Sequence, residues 1–328
     1  MHARANGHQA AHGAGAGTTA GIARQRTLAS SIHCLGVGLH SGVKASMTLH
    51  PAEPDTGIVF VRSDLGESAK PVPAIWCYGV QAPLCTALEG EDGTRIVTVE
   101  HLMAAFAGCG VDNAVVEVDA AELPIMDGSA APFVFLIECA GIAEQDAPRR
   151  ALKVMKPVRV ADGERWVALS PGDGLAIDFE IEFDSPLVSR QSWSVSLENG
   201  TFKRDICRAR TFGFLEDVDR LRAQGLALGG SLDNAVVVSG DHILNEGGLR
   251  YENEFVRHKI LDTLGDLYLA GAPIIGRFSG VRAGHALNLR LLTALFADPA
   301  AWCWSEAAPA GDGVTDAAAY PRAAAAGA

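Results

Sequence analysis

The sequence predicts an α+β fold of two similar sheet-plus-helices domains packed through their helices, with an inserted substructure in the second. Three observations point there. Short alternating or β-branched runs stand beside a few stretches of clear helical spacing. The pattern of the first half recurs in the second. One histidine falls on a helix at matching places in both halves.

Residues 1–25 are rich in Ala, Gly and His, lack periodicity and hold too little apolar surface to order themselves. They read as a disordered extension, in which His2, His8 and His12 are solvated rather than metal-bound. Arg26–Ile32 and Gly42–Pro51 alternate as strands do, and Gly57–Arg62 is a β-branched run that reads as a third strand. Thr98–Ala107 has helical spacing, with Thr98 as the expected N-cap and Gly108 and Gly110 as stops. Asn113–Val118 is a strand, and Pro132–Ala140 is a helix ended by Gly141. The pair Arg149-Arg150 then divides the chain into a first domain, 26–148, and a second, 151–304.

In the second half, Val167–Pro171 matches Ser46–Pro51, and a strand again follows, at Leu175–Phe183. Tyr251–Gly271 is a largely apolar helix and Ile274–Phe278 the strand after it. Pro51 precedes His101 by 50 residues and Pro171 precedes His258 by 87. The second half therefore carries an insert, placed near 210–249, because repeats absorb extra length in loops. Residues 305–328 read as a disordered Ala-rich tail.

Composition narrows the function classes. A chain of 328 residues has room for two domains, and 48% hydrophobic content can fill their cores. A net charge of −12 without a basic stripe argues against a general nucleic-acid binder. No run of 18 apolar residues occurs, so no membrane-spanning helix is expected. Seven cysteines, an odd number with no C-x-x-C, argue against a disulfide framework or a zinc knuckle and for reduced thiols in the cytoplasm.

The chemistry concentrates in Tyr251–Gly271. His258, Asp262 and Asp266 stand at i, i+4 and i+8, one stripe along a helix. Such a stripe can be a solvated face. It can also hold a metal, because a His and an Asp one turn apart reach one ion, and a third ligand from elsewhere leaves a position open for water. His101 is the candidate third ligand, and Glu100 beside it can accept a proton from water at the metal. Here the Glu precedes its His, unlike H-E-x-x-H, so the mechanism is analogous while the motif differs. His285, after Gly284 in a turn, is either an ordinary loop residue or a general acid positioned by a carboxylate such as Asp266.

Together these segments resemble the zinc-dependent UDP-3-O-acyl-N-acetylglucosamine deacetylases of lipid A synthesis. The resemblance runs from about Gln25 to Phe296 and rests on ordered motifs. They are Ser31–Gly42 (SIHCLGVGLHSG), Thr98–Leu102 (TVEHL), Pro124–Phe133 (PIMDGSAAPF) and Arg210–Phe214 (RTFGF). Phe255–Lys259 (FVRHK), Asp262, Gly265-Asp266 and Gly284–Asn288 (GHALN) complete the set. Pro83, just before Leu84, departs from the flexible apolar residue expected there.

The resemblance implies that His101, His258 and Asp262 bind Zn2+, a set that ferrous iron (Fe2+) can share. It implies Glu100 as general base, His285 as general acid and Asp266 as the carboxylate that orients it. Thr211 would hydrogen-bond the tetrahedral oxyanion, and Lys259 would contact substrate beside the metal. Phe212 would lie in an acyl-chain tunnel lined near its mouth by Leu84, Cys85, Val218 and Ala227. Arg282, with Lys259, is a candidate counter-charge for the pyrophosphate. The implied partner is UDP-3-O-acyl-N-acetylglucosamine, with no nucleic acid and no integral membrane segment, acted on by a cytoplasmic monomer. Two other readings compete: a zinc amidase acting on another acylated sugar or a peptide, and a non-catalytic binding protein. The second would be expected to lack Glu100 or His285, and both are present.

Overall fold

The structure is a computed structural model and describes residues 23–66, 70–198 and 200–306. His2, His8, His12 and the tail beyond Glu306 lie outside the described residues. The first half contains β1 (Arg24–Leu28), β2 (Ile32–Val37), β3 (Lys44–Pro51), β4 (Ile58–Arg62) and β5 (Val72–Pro73). It continues with β6 (Gly79–Gln81), β7 (Thr86–Glu89), β8 (Arg95–Val97), α1 (Glu100–Cys109), β9 (Ala114–Val118), α2 (Ala131–Ala140) and β10 (Ile142–Pro148). The second half contains β11 (Arg150–Val154), β12 (Val158–Asp162), β13 (Arg165–Ser170), β14 (Leu175–Glu182) and β15 (Arg190–Ser196). It continues with β16 (Phe212–Phe214), α3 (Leu215–Ala223), β17 (Val236–Ser239), β18 (His242–Ile243), α4 (Glu254–Tyr268), β19 (Ile274–Val281), α5 (His285–Ala297) and β20 (Trp302–Glu306).

The two halves are built alike. The main sheet of the first runs β2-β3-β9-β4-β5, with β3 antiparallel and β4 parallel to β9. In the second, β12-β13-β19-β14-β15 repeats that order, with β13 antiparallel and β14 parallel to β19. Each half is flanked by a further antiparallel pair, β1 with β10 and β11 with β20. Alternation is what makes these strands: in β3 and β14 every second residue is buried, and those residues face the helices.

The helices meet between the sheets. In α1 eight of ten residues are buried, and in α4 thirteen of fifteen. A helix buried nearly all round cannot be a solvated face, which decides against that reading of the Asp262–Asp266 stripe. Gly265 of α4 makes the crossing close, since a Cβ there would lie 2.0 Å from the Glu100 carbonyl oxygen of α1.

Each half also carries a small three-stranded sheet between the last strand of its main sheet and its central helix. In the second half this is β16-β17-β18 with α3, within the stretch 210–249. In the first it is β6-β7-β8, which the sequence reading missed because its strands span three or four residues.

Several expectations need correction. Arg26–Ile32 is not one strand: β1 ends at Leu28 and β2 starts at Ile32 on a different partner. The break holds Ala29, whose N–H bonds the Gly141 carbonyl, and Ser30, whose hydroxyl bonds that of Ala140. β1 includes Arg24 and Gln25, and β20 reaches Glu306, so the strands extend two residues beyond the limits expected from sequence. Gln25 is buried, bonding Asp55 and Asn113. Thr98 does not cap α1. Val99 holds the cap position, while Thr98 has φ of 62° and donates its hydroxyl to Glu122.

Candidate active site

The start of α1 is fixed by Thr86, whose carbonyl accepts N–H groups from Thr98 (2.9 Å) and Val99 (3.3 Å). This places Glu100 and His101 at the helix N-terminus, where the positive end of the helix dipole favours a carboxylate. α4 brings His258, Asp262 and Asp266 alongside on one buried stripe.

His101, His258 and Asp262 converge. Asp262 Oδ1 stands 3.4 Å from His101 Nε2 and 3.2 Å from His258 Nε2. One ligand atom from each of the three lies within 4.8 Å of the others. The two distances from Asp262 match the roughly 3.3 Å edge of a tetrahedron whose bonds are about 2.0–2.1 Å. Asp262 Oδ1 is buried and has no hydrogen-bond partner among the described residues, a costly state unless a cation completes it. His258 Nδ1–H donates to the Ala209 carbonyl at 3.1 Å, which leaves the Nε2 lone pair free. Burial lowers the His258 pKa to about 3, so the ring stays neutral as a ligand must. Burial would raise the Asp262 pKa, but His258 and Lys259 hold it well below the ordinary value. The donor set fits a divalent metal ion.

A proton-transfer pair faces this centre. Glu100 Oε1 lies 3.8 Å from His285 Nε2, and Glu100 Oε2 accepts the Thr86 N–H at 3.0 Å. Burial raises the Glu100 pKa above the carboxylate range. His285 Nδ1 sits 2.9 Å from Asp266 Oδ2, which also accepts from Asn288 Nδ2 at 2.8 Å. Burial opposes charge on His285, yet Asp266 and Glu100 outweigh it and raise the pKa to about 9. His285 is the first residue of α5, not a turn residue as expected.

A cavity of about 620 Å³ opens onto these groups and runs into the insert. Its polar lining includes Glu100, His101, Thr211, His258, Lys259, Asp262 and His285, its apolar lining Phe183, Phe212, Phe214, Val218, Leu221 and Val237, with the Phe212 ring 6.4 Å from that of His258. Ala227 and the largely exposed Leu84 lie on the same wall. Lys259 Nζ donates to Asp262 Oδ2 at 2.7 Å; burial disfavours its charge, but Asp262 keeps its pKa raised.

Two expected contacts are not brought to the cavity. Cys85 is buried behind Leu84 and does not line it. Arg282 turns away at the end of β19, pairing with Glu164 at 3.0 Å and Glu182 at 3.4 Å. Sequence reasoning assigned no role to His40, Thr86 or Asn288. His40 lines the cavity, with neither ring nitrogen hydrogen-bonded among the described residues. His40 and Asn288 sit inside motifs already singled out, and Thr86 directly follows Leu84 and Cys85, so their neighbours were the available signal.

A His/His/carboxylate grip, a buried carboxylate beside it and a third histidine across from it define a metal-dependent hydrolase. The pattern of the family described as UDP-3-O-acyl N-acetylglycosamine deacetylase matches residues 25–297, and the chain belongs to that family. It is 52% identical over 280 residues to the UDP-3-O-acyl-N-acetylglucosamine deacetylase of Shewanella violacea, covering 85% of this chain and 91% of the relative. The deacetylases of Shewanella halifaxensis and Shewanella oneidensis are 51% and 52% identical over the same shares.

Proposed function

We propose that this protein hydrolyses the N-acetyl amide of UDP-3-O-acyl-N-acetylglucosamine to UDP-3-O-acyl-glucosamine and acetate, the committed step of lipid A synthesis. The observation behind this reading is one cavity lined by a metal-ligand triad and an acid–base pair together with aromatic and aliphatic side chains. His101, His258 and Asp262 would hold zinc, or ferrous iron, which when bound acidifies water and stabilises negative charge on the amide oxygen.

The chain's own residues supply the rest. Glu100, made more basic by burial, accepts a proton from the attacking water. Thr211 lines the cavity where its hydroxyl can donate to the developing oxyanion. His285 gives its Nε2 proton to the departing amine, which otherwise leaves poorly. Asp266 holds the imidazolium through Nδ1 and aims Nε2 at the cavity. Lys259 contributes a positive charge for the substrate in the polar lining. Phe212, Leu84, Val218 and Ala227 hold the acyl chain, each buried CH₂ contributing about 0.8 kcal/mol.

In this reading 26–148 and 151–304 are two domains sharing one site, and the enzyme acts as a cytoplasmic monomer. Metal analysis joined to a deacetylation assay on UDP-3-O-acyl-N-acetylglucosamine tests the proposal. Acetate release that chelation abolishes and zinc restores is expected. Turnover of simple acetamides but not of the nucleotide sugar would favour a general amidase and overturn it.

A further inference from the structure

Thr86 hydrogen-bonds to Glu100 on one side and to Asp266 and His285 on the other. Its N–H donates to Glu100 Oε2 at 3.0 Å. Its hydroxyl donates to Asp266 Oδ1 at 2.5 Å and lies 3.0 Å from His285 Nδ1. It opens β7 in the first half of the chain, whereas Asp266 and His285 belong to α4 and α5 in the second. The side chain is buried, so water cannot replace these bonds.

We propose that Thr86 is a positioning residue that locks the acid to the base, and this rests on the roles proposed above for Glu100, Asp266 and His285. Asp266 takes Thr86 on one oxygen and His285 and Asn288 on the other. With both oxygens engaged the carboxylate cannot rotate. The single hydroxyl proton goes to Asp266, which leaves the Thr86 oxygen as an acceptor toward His285 Nδ1–H. The proton on Nδ1 is thereby kept on the Asp266 side, and Nε2 is the nitrogen presented to the cavity. Through its main chain the same residue holds Glu100 Oε2 and leaves Oε1 toward His285 Nε2, 3.8 Å away. Asp266 alone would hold the ring by one bond and leave its tilt relative to Glu100 free.

Thr86→Val keeps the shape and the main-chain bond to Glu100 while removing the hydroxyl. The loss of a buried hydrogen bond to a charged group predicts a kcat fall of roughly 10- to 100-fold. KM and bound-metal stoichiometry should stay within about twofold, because Thr86 contacts neither the metal ligands nor the cavity. Thr86→Ser should recover most of kcat. In the His285→Ala background Thr86→Val should cost almost nothing more, since its effect runs through that ring. The His285 Nδ1–H proton resonance of the metal-free protein should move upfield in Thr86→Val and return in Thr86→Ser. Should Thr86→Val not fold, Thr86→Ala carries the same expectations. Wild-type kcat in Thr86→Val, equal losses in the Val and Ser variants, or a full additional loss on top of His285→Ala would each overturn the proposal. Normal turnover in His285→Ala itself would instead sink the acid–base reading on which it rests.

Discussion

His285 is half-buried between two carboxylates, and that placement sets the pH behaviour of the site. Its pKa is raised to about 9, against about 6.5 for an unperturbed histidine. A group raised in the folded state adds stability that is fully present below the unfolded value and lost as pH climbs through the folded one. The imidazolium therefore supports both folding and proton donation at neutral pH, and kcat should fall as pH rises through about 9. A cation bound nearby shifts that limb toward neutrality without changing its direction. Glu100 must be ionised to act, and burial raises its pKa, so the acid limb should lie above the usual carboxylate range. Replacing His285 by Ala should remove the alkaline limb and cost about two decades of kcat with metal still bound; Glu100→Ala should do the same to the acid limb. Steady-state rates from pH 5 to 10 and metal analysis check both. The grouping of His101, His258 and Asp262 and the meeting of Glu100 with His285 could be picked out of the sequence because each lies in a dense motif or on a helical stripe. Thr86 was not picked out, since a threonine at the head of a four-residue strand has no periodic signature. Arg282 misled for the opposite reason: nearness in sequence to His285 says nothing of which side of β19 an arginine leaves from.

At the level of elements, the crossing of α1 and α4 decides whether the ligands can meet. His101 comes from one helix and His258 and Asp262 from the other, and Gly265 lets the two backbones touch. Gly265→Ala would place a methyl group 2.0 Å from a backbone oxygen that cannot rotate aside. The helices must separate, so we predict a loss of about 1–3 kcal/mol in stability and a clear loss of metal affinity together. Thermal melts of the metal-free and loaded protein measure the two effects separately. α4 could be read from sequence because its fifteen residues hold a long helical pattern. β10 and the β6-β7-β8 sheet could not, because runs of three to seven residues do not separate a half-buried strand from a loop. The gap between β1 and β2 also escaped, although the less exposed positions shift from Gln25 and Thr27 in β1 to Ile32 and Cys34 in β2.

For the molecule as a whole, the recurrence read from Pro51 and Pro171 corresponds to a repeated strand order with matching senses of pairing. What the sequence could not show is that the first half has an added sheet too, so the difference in length is a difference between two insertions. Since the ligands come from both halves, a bound ion ties them and binds only the folded chain. Chelation should therefore lower the melting temperature, and His101→Ala should lower it to the chelated value with no further response to chelator. The apolar lining of the cavity makes a graded prediction: each CH₂ removed from the acyl chain should raise KM about fourfold while the chain is inside, with kcat steady.

The floor and the walls of this chamber differ in stiffness. Main chain meets main chain at Gly265, where α1 and α4 cross, while the flexible side chains of Leu215, Leu221, Leu232 and Leu244 line the cavity. A small molecule designed to block it would meet a fixed anchor point and a forgiving sleeve. Its warhead would have to be geometrically right, whereas its tail could be varied to gain selectivity.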